Sequence, residues 1–153
     1  MSKPYVVGID VGGTNTVFGI VDARGNVLAS GSIKTAKHAA IEELSKLIEA
    51  NDAVDKIAGI GIGAPNANYF TGVIADGVNL PWPTPIPLAD LVSNKFGIPV
   101  AITNDANAAA IGEMTYGVAR GMKDFIMITL GTGVGSGIVV NGQMVYGHDG
   151  FAG

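Results

Sequence analysis

Three short stretches hold residues whose types and spacing suit chemistry. In the first, Asp10-Val11-Gly12-Gly13-Thr14, two glycines lie between a carboxylate and a hydroxyl, with apolar runs on either side. Glycines have no side chain to keep backbone N–H groups away from an anion, and Thr14 adds a hydroxyl donor, so the turn is shaped for a phosphate. Asp10, at the end of the preceding run, could reach a phosphate-bound Mg²⁺ through water, because Mg²⁺ keeps several waters and takes one or two protein carboxylates. A plain glycine hairpin in which Asp10 only hydrogen-bonds the turn fits the pentapeptide equally well.

The second stretch runs from Leu130 to Gly137 and offers Gly131, Thr132 and Gly133 to an anion. It matches neither the dinucleotide G-x-G-x-x-G pattern nor the Walker pattern, which needs a Lys before Ser or Thr, and no helix start follows it. Alone it is a weak signal. Two glycine turns on equivalent hairpins can face each other across a cleft, and that pairing favours a seat for the phosphates of Mg-ATP over two unrelated hairpins.

The third stretch, Asn104-Asp105-Ala106-Asn107, ends a predicted strand and opens a predicted helix, where α/β proteins place ligands. Asp105 could accept a proton from an attacking hydroxyl. General-base help is typically worth about 10²–10⁴ in rate, and phosphoryl transfer relies mostly on positioning and charge neutralisation. Asn and Asp are also preferred helix caps, and Asp is favourable at a helix N-terminus, so one of the two is expected to cap.

The elements that must position these stretches follow from periodicity. Residues 5–10 and 15–22 read as a strand hairpin, and a third strand at about 26–34 follows the turn chemistry of Arg24-Gly25-Asn26. From Lys37 to Ala50 the apolar residues Ala40, Ile41, Leu44, Leu47 and Ile48 recur at three- and four-residue steps, the mark of an amphipathic helix. A buried strand at 57–64, a Pro- and Asn-rich loop at 65–85, a helix at 86–96 ending at Gly97, a strand at 98–103 and an Ala-rich helix at 104–117 complete the order βββ-α-β-α-β-α. The chain then restarts with strand 125–130, glycine turn 131–135 and strand 136–141. Gly-Ile-Val at 19–21 recurs at 137–139, each time on the return strand, so an internal repeat is expected. The first copy occupies about 1–118, whereas 119–153 reads as only the opening hairpins of a second, incomplete subdomain that exposes apolar surface and favours association.

Composition narrows the function classes. The 153 residues are enough for one ordinary domain with a real core. The formal charge of −4, with scattered Lys and Arg, gives no footprint for nucleic acid phosphates. The absence of Cys rules out a disulfide framework or thiolate zinc site within the chain and suits a reducing compartment, so the cytoplasm is the default. Asp10 and glycines break the first apolar run, which therefore lacks the long core of a secretory signal, and no stretch is long enough to span a membrane.

Together these motifs resemble the ROK family of repressors and sugar kinases, glucokinase-like members especially, over essentially the whole chain. The resemblance implies an actin-like ATPase fold, α/β, with a mixed sheet opened by antiparallel strands and flanked by helices. It implies ATP-dependent phosphorylation of a hexose hydroxyl, most simply glucose to glucose 6-phosphate, with Mg²⁺ as metal and a dimer or tetramer as assembly. By residue, it assigns ATP phosphates to Asp10, Gly12, Gly13, Thr14, Gly131, Thr132 and Gly133, and the sugar to Asn104 and Asp105, the latter as base. Gly63-Ala64-Pro65-Asn66 and Gly77-Val78-Asn79-Leu80 resemble the family's sugar-side loops, which adds Asn66 and Asn79 as sugar contacts; an Asn in a loop also commonly just makes a turn. Family members follow a segment like His148–Gly153 with Glu-x-Gly-His and often a zinc site, so the half-site here is expected to be incomplete and His148 to be an exposed loop residue. An N-acyl amino sugar kinase and a non-catalytic sugar-binding fragment are the alternatives. A DNA-binding repressor is disfavoured, because the first strand begins by Tyr5 and leaves no room for a helix-turn-helix.

Overall fold

A computed structural model describes residues 2–35, 40–77 and 79–153. Strands β1 (Tyr5–Val11), β2 (Asn15–Asp22) and β3 (Val27–Lys34) form an antiparallel meander. Helix α1 (Ala40–Ala50), strand β4 (Ile57–Gly63), helix α2 (Leu88–Phe96), strand β5 (Val100–Thr103) and helix α3 (Asp105–Tyr116) follow in the expected alternation. The expected start of α1 before Ala40 lies outside the described residues. The first sheet has the order β3-β2-β1-β4-β5, with β4 and β5 parallel to β1, so the carboxyl ends of β1, β4 and β5 share one edge.

Alternation along the strands decides what each face of this sheet does. One face presents Val7, Val11, Phe18, Ile20, Ile60, Ile62 and Ile102, all buried, to Leu44 and Ile48 of α1 and Leu88 and Val92 of α2. Each such side chain contributes roughly 1.5–3 kcal/mol of transfer free energy, and truncating Leu44 to Ala would cost about 2–5 kcal/mol. Helix α2 stops where Gly97 turns left-handed at φ 64°, its N–H donating to the Ser93 carbonyl. The opposite face is rich in glycine. Helix α3 covers only its β4 side, where a β-carbon at Gly63 would meet Ala108 at 3.2 Å. Over the rest lies an open cavity of about 1220 Å³, lined by Val6, Gly8, Val17, Gly19 and Gly61 and, at the carboxyl edge, by Asp10 and Asp105.

Strands β6 (Phe125–Leu130), β7 (Val134–Val140) and β8 (Gln143–Met144) make a second antiparallel meander, repeating the hairpin logic of β1–β3. The short β8 is missing from the sequence reading, although Asn141-Gly142 carries the signal: both residues have positive φ (52° and 76°), the requirement of a type I′ hairpin. Gly135, read from sequence as the end of the glycine turn, and Gly137, read as strand, both sit within β7. Their role is packing, because β-carbons there would stand 3.0 Å from Ala106 Cβ and 2.6 Å from Ala110 Cβ respectively. Helix α3 is thus held between the two sheets, and β6 and β7 are covered on that side. The other side of β6 is bare, with Ile126 and Ile128 64% and 62% exposed and Leu130 more so. Among the described residues no helix is long and apolar enough to cross a membrane.

Candidate active site

The β1–β2 connection is a tight turn whose glycines are required by close approach. The Gly12 N–H donates to the Asn15 carbonyl at 3.0 Å, and a β-carbon at Gly12 would stand 2.7 Å from that same oxygen. At Gly13 a β-carbon would stand 2.8 Å from the Asn79 carbonyl oxygen. Gly13 and Thr14 themselves are exposed, so the outer side of the turn faces solvent. Its inner side is held by a residue the sequence reading did not single out: buried Thr35 donates its hydroxyl to the Gly12 carbonyl at 2.6 Å and its N–H to the Thr14 carbonyl at 2.9 Å. No local pattern marks Thr35, because its partners lie nineteen or more residues away in sequence.

Asp10 is in register with Val17 of β2 and Gly63 of β4, and Asp105 is the first residue of α3, just beyond β5. The two carboxylates line one cavity edge. Partial desolvation at the cavity edge pushes the Asp10 carboxyl above the ordinary carboxylate range, and the charge of Asp105 pushes it further the same way.

The cap question of the third stretch resolves in favour of Asn104. Its backbone is extended (φ −67°, ψ 153°), and its Oδ1 accepts from the Asn107 N–H at 2.8 Å. Asp105 Oδ1 accepts from the Ala106 N–H at 2.9 Å, and among the described residues Oδ2 has no hydrogen-bond partner. Asn107 is buried, donates from Nδ2 to Thr103 Oγ1 at 3.3 Å, and has an unpartnered Oδ1.

The remaining predicted residues separate into two groups. Asn79 is exposed beside Gly13, next to the first turn. Asn66, left-handed at φ 52°, donates from Nδ2 to the Asp76 carbonyl at 3.0 Å and braces its own loop. Gly131, Thr132 and Gly133 form an exposed turn closed by a Gly131 N–H to Gly133 carbonyl bond of 2.9 Å, with open space where β-carbons would be on both glycines. Among the described residues no hydrogen bond joins it to Gly12–Thr14, and neither turn lines the cavity that holds Asp10 and Asp105. His148 is exposed. A further tether was not read from sequence: buried Asn68 donates to the Asp149 carbonyl at 2.6 Å, and Tyr69 stacks on Tyr146 with centroids 4.3 Å apart, fastening the loop after β4 to the segment after β8.

No group of three or more His, Cys, Asp or Glu suited to a metal occurs among the described residues. Asp10, whose carboxylate shares the cavity edge with Asp105, suits a divalent cation that keeps most of its waters and takes a single protein carboxylate.

The ROK family model matches residues 6–153. The chain belongs to the ROK family. It is 40% identical to a glucokinase of Halalkalibacterium halodurans, an alignment that takes in 100% of this chain and 49% of that protein. It is 31% identical to a beta-glucoside kinase of Listeria monocytogenes, over 93% of this chain and 49% of that protein. Among solved structures, the ROK family glucokinase from Streptomyces griseus in complex with glucose and AMPPNP superposes with a TM-score of 0.81 at 33% identity, over 97% of this chain and 48% of that one. The chain therefore spans about half the length of the relatives it matches, and its fold is the actin-like ATPase fold of the ROK sugar kinases.

Proposed function

We propose that this ROK chain supplies the acceptor side and the first phosphate turn of an ATP-dependent sugar kinase, with glucose as the first acceptor to test. The observation that carries this reading is the shared cavity edge of Asp10 and Asp105, beside a glycine turn in which Gly13 and Thr14 are exposed. Asp105 is pre-oriented by the Ala106 N–H on one oxygen and open on the other. That open Oδ2 accepts the proton of a sugar hydroxyl, most simply the primary one, as the hydroxyl oxygen forms its bond to the γ-phosphorus and the bond to the ADP oxygen breaks in line. Asn104, spent on its cap through Oδ1, retains its Nδ2–H groups for a sugar hydroxyl. Asn79 and Asn66 extend the acceptor side, Asn79 more directly because it abuts Gly13.

Gly12, Gly13 and Thr14 cradle the outer phosphates, and Gly131, Thr132 and Gly133 close on them from the second unit. Asp10 would hold Mg²⁺ through water. The ion would supply charge neutralisation on the phosphates. We read residues 1–118 as the first subdomain and 119–153 as the opening of the second, with the other half of a relative-length protein completing the pocket. The similarity to glucokinases favours glucose, and that to a beta-glucoside kinase keeps a glycoside in view as a second acceptor. An assay of phosphate transfer from Mg-ATP across glucose, N-acetylglucosamine, N-acetylmannosamine and a β-glucoside, comparing native protein with Asp105→Asn, tests the reading. A fall in kcat of about 10²–10⁴ is expected for the variant. Activity retained within about tenfold would remove Asp105 from the role of base.

A further inference from the structure

Thr35 lies between two loops of the candidate site, and every hydrogen-bonding group it has is committed to one of them or to the strand that supports them. Its hydroxyl is 2.6 Å from the Gly12 carbonyl, its N–H donates to the Thr14 carbonyl at 2.9 Å, and its own carbonyl accepts from Trp82 Nε1 at 3.0 Å. The hydroxyl also meets Thr16 Oγ1 at 3.0 Å. A threonine hydroxyl has a single proton and a carbonyl oxygen can only accept, so the Thr35 proton goes to Gly12 and the Thr16 hydroxyl donates to Thr35. The two threonines are buried, Thr16 and Thr35 each 1% exposed, while Gly12 and Trp82 are half-buried.

The arrangement fixes where the phosphate turn points. In a planar trans peptide the C=O and the following N–H point in opposite directions. Holding the Gly12 carbonyl inward on Thr35 therefore turns the Gly13 N–H outward, toward the solvent side where an anion would sit. Trp82 ties the same residue to the loop that carries Asn79, and that loop presses on the turn a second time where the Asn79 carbonyl approaches Gly13. A shift of the acceptor-side loop pulls on Trp82, then Thr35, then the Gly12 carbonyl, and re-aims the Gly13 N–H.

We infer that Thr35 is a positioning residue that couples the acceptor-side loop to the phosphate turn, so that sugar and nucleotide strengthen each other's binding. This rests on the proposed function for the identity of the two ligands, and goes beyond it in assigning communication to one buried hydroxyl and one indole N–H. Thr→Val keeps the shape of the side chain but removes the hydroxyl, which leaves the Gly12 carbonyl without its donor. Trp82→Phe removes the indole donor while keeping an aromatic ring, and Thr35→Ser restores the hydroxyl.

The test is calorimetric titration of native protein and these three variants with Mg-ATP and with D-glucose, each alone and each in the presence of the other. Circular dichroism identifies variants that have not folded, and Trp82→Phe alone decides if Thr35→Val is among them. Native protein and Thr35→Ser should bind either ligand at least about fivefold more tightly when the other is present, with the same factor in both directions, as linkage requires. Thr35→Val and Trp82→Phe should reduce that factor below about twofold. Trp82, the only tryptophan of the chain, should also change its emission on addition of Mg-ATP in native protein and lose that response in Thr35→Val. Native protein that binds both ligands with no mutual effect, or variants that keep the native coupling factor, would overturn the role of Thr35 while leaving the kinase reading intact. Native protein that binds neither ligand would overturn both.

Discussion

Gly13 is pressed against Asn79: a β-carbon on Gly13 would stand 2.8 Å from the Asn79 carbonyl oxygen and 3.4 Å from its Cβ. The first contact is backbone, which cannot swing aside as a flexible side chain would. Gly13→Ala must therefore move either the turn or the loop, at a cost of about 1–3 kcal/mol typical of overpacking. Chemical denaturation should register that loss. Affinity for Mg-ATP should fall by about tenfold or more, since 1.4 kcal/mol of misalignment is a decade. Native affinity in Gly13→Ala would show that the turn has more room than its neighbours suggest.

Asn104 and Asp105 are adjacent yet do different work, and their variants should separate. Asn104→Ala removes the acceptor for the Asn107 N–H and should cost about 1 kcal/mol of stability, whereas Asn104→Asp keeps a capping oxygen and should cost much less. Asp105→Asn also keeps an acceptor for the Ala106 N–H, so its melting temperature should stay near native while catalysis is lost. A large stability loss in Asp105→Asn would indicate that the carboxylate charge serves the helix rather than the reaction.

The raised carboxyl of Asp10 gives a pH dependence of definite direction. The folded chain holds that proton more tightly than the unfolded chain does, so the charge on Asp10 works against folding as pH rises through the carboxylate range. Near neutral pH, Asp10→Asn should be more stable than native protein by less than about 1 kcal/mol, the side chain being open to water. The difference should vanish well below the ordinary carboxylate range. Millimolar Mg²⁺ should raise the melting temperature of native protein more than that of Asp10→Asn; an equal rise would detach the ion from Asp10.

The apolar runs of strand length at 5–10, 15–22 and 57–64, and the spacing of Leu44, Leu47 and Ile48, made most of the sheet and α1 legible, because each records burial in its own stretch of chain. The strand-end positions of Asp10, Asn104 and Asp105 were legible for the same reason: each follows directly from where an apolar run stops. What local pattern does not contain is the partner across the fold. Thr35, Trp82 and Asn68 act through hydrogen bonds to residues 23, 47 and 81 positions away, and nothing near them announces it. Gly135 was misread as a turn residue because a glycine needed for a helix to approach and one needed for a turn look alike until Ala106 is seen against it. The strand β8 was missed through its two-residue length, despite the Asn141-Gly142 turn before it.

The outer side of β6 carries the last prediction. Ile126, Ile128 and Leu130 alternate along an edge strand and are exposed, while Phe125, Met127 and Thr129 between them turn toward α3 and are half-buried. A bare, apolar edge strand offers unpaired backbone groups and a hydrophobic strip together, the combination that natural sheets usually blunt with a charge. The 153-residue chain should therefore self-associate with rising concentration, and Ile128→Lys should shift it toward monomer in light scattering. Because the side chain is already in solvent, the substitution should change folding stability by no more than about 0.5 kcal/mol. A native chain that stays monomeric at high concentration would mean that this strip is too small or too twisted to pair. A variant that unfolds would mean that Ile128 packs more tightly than its exposure implies.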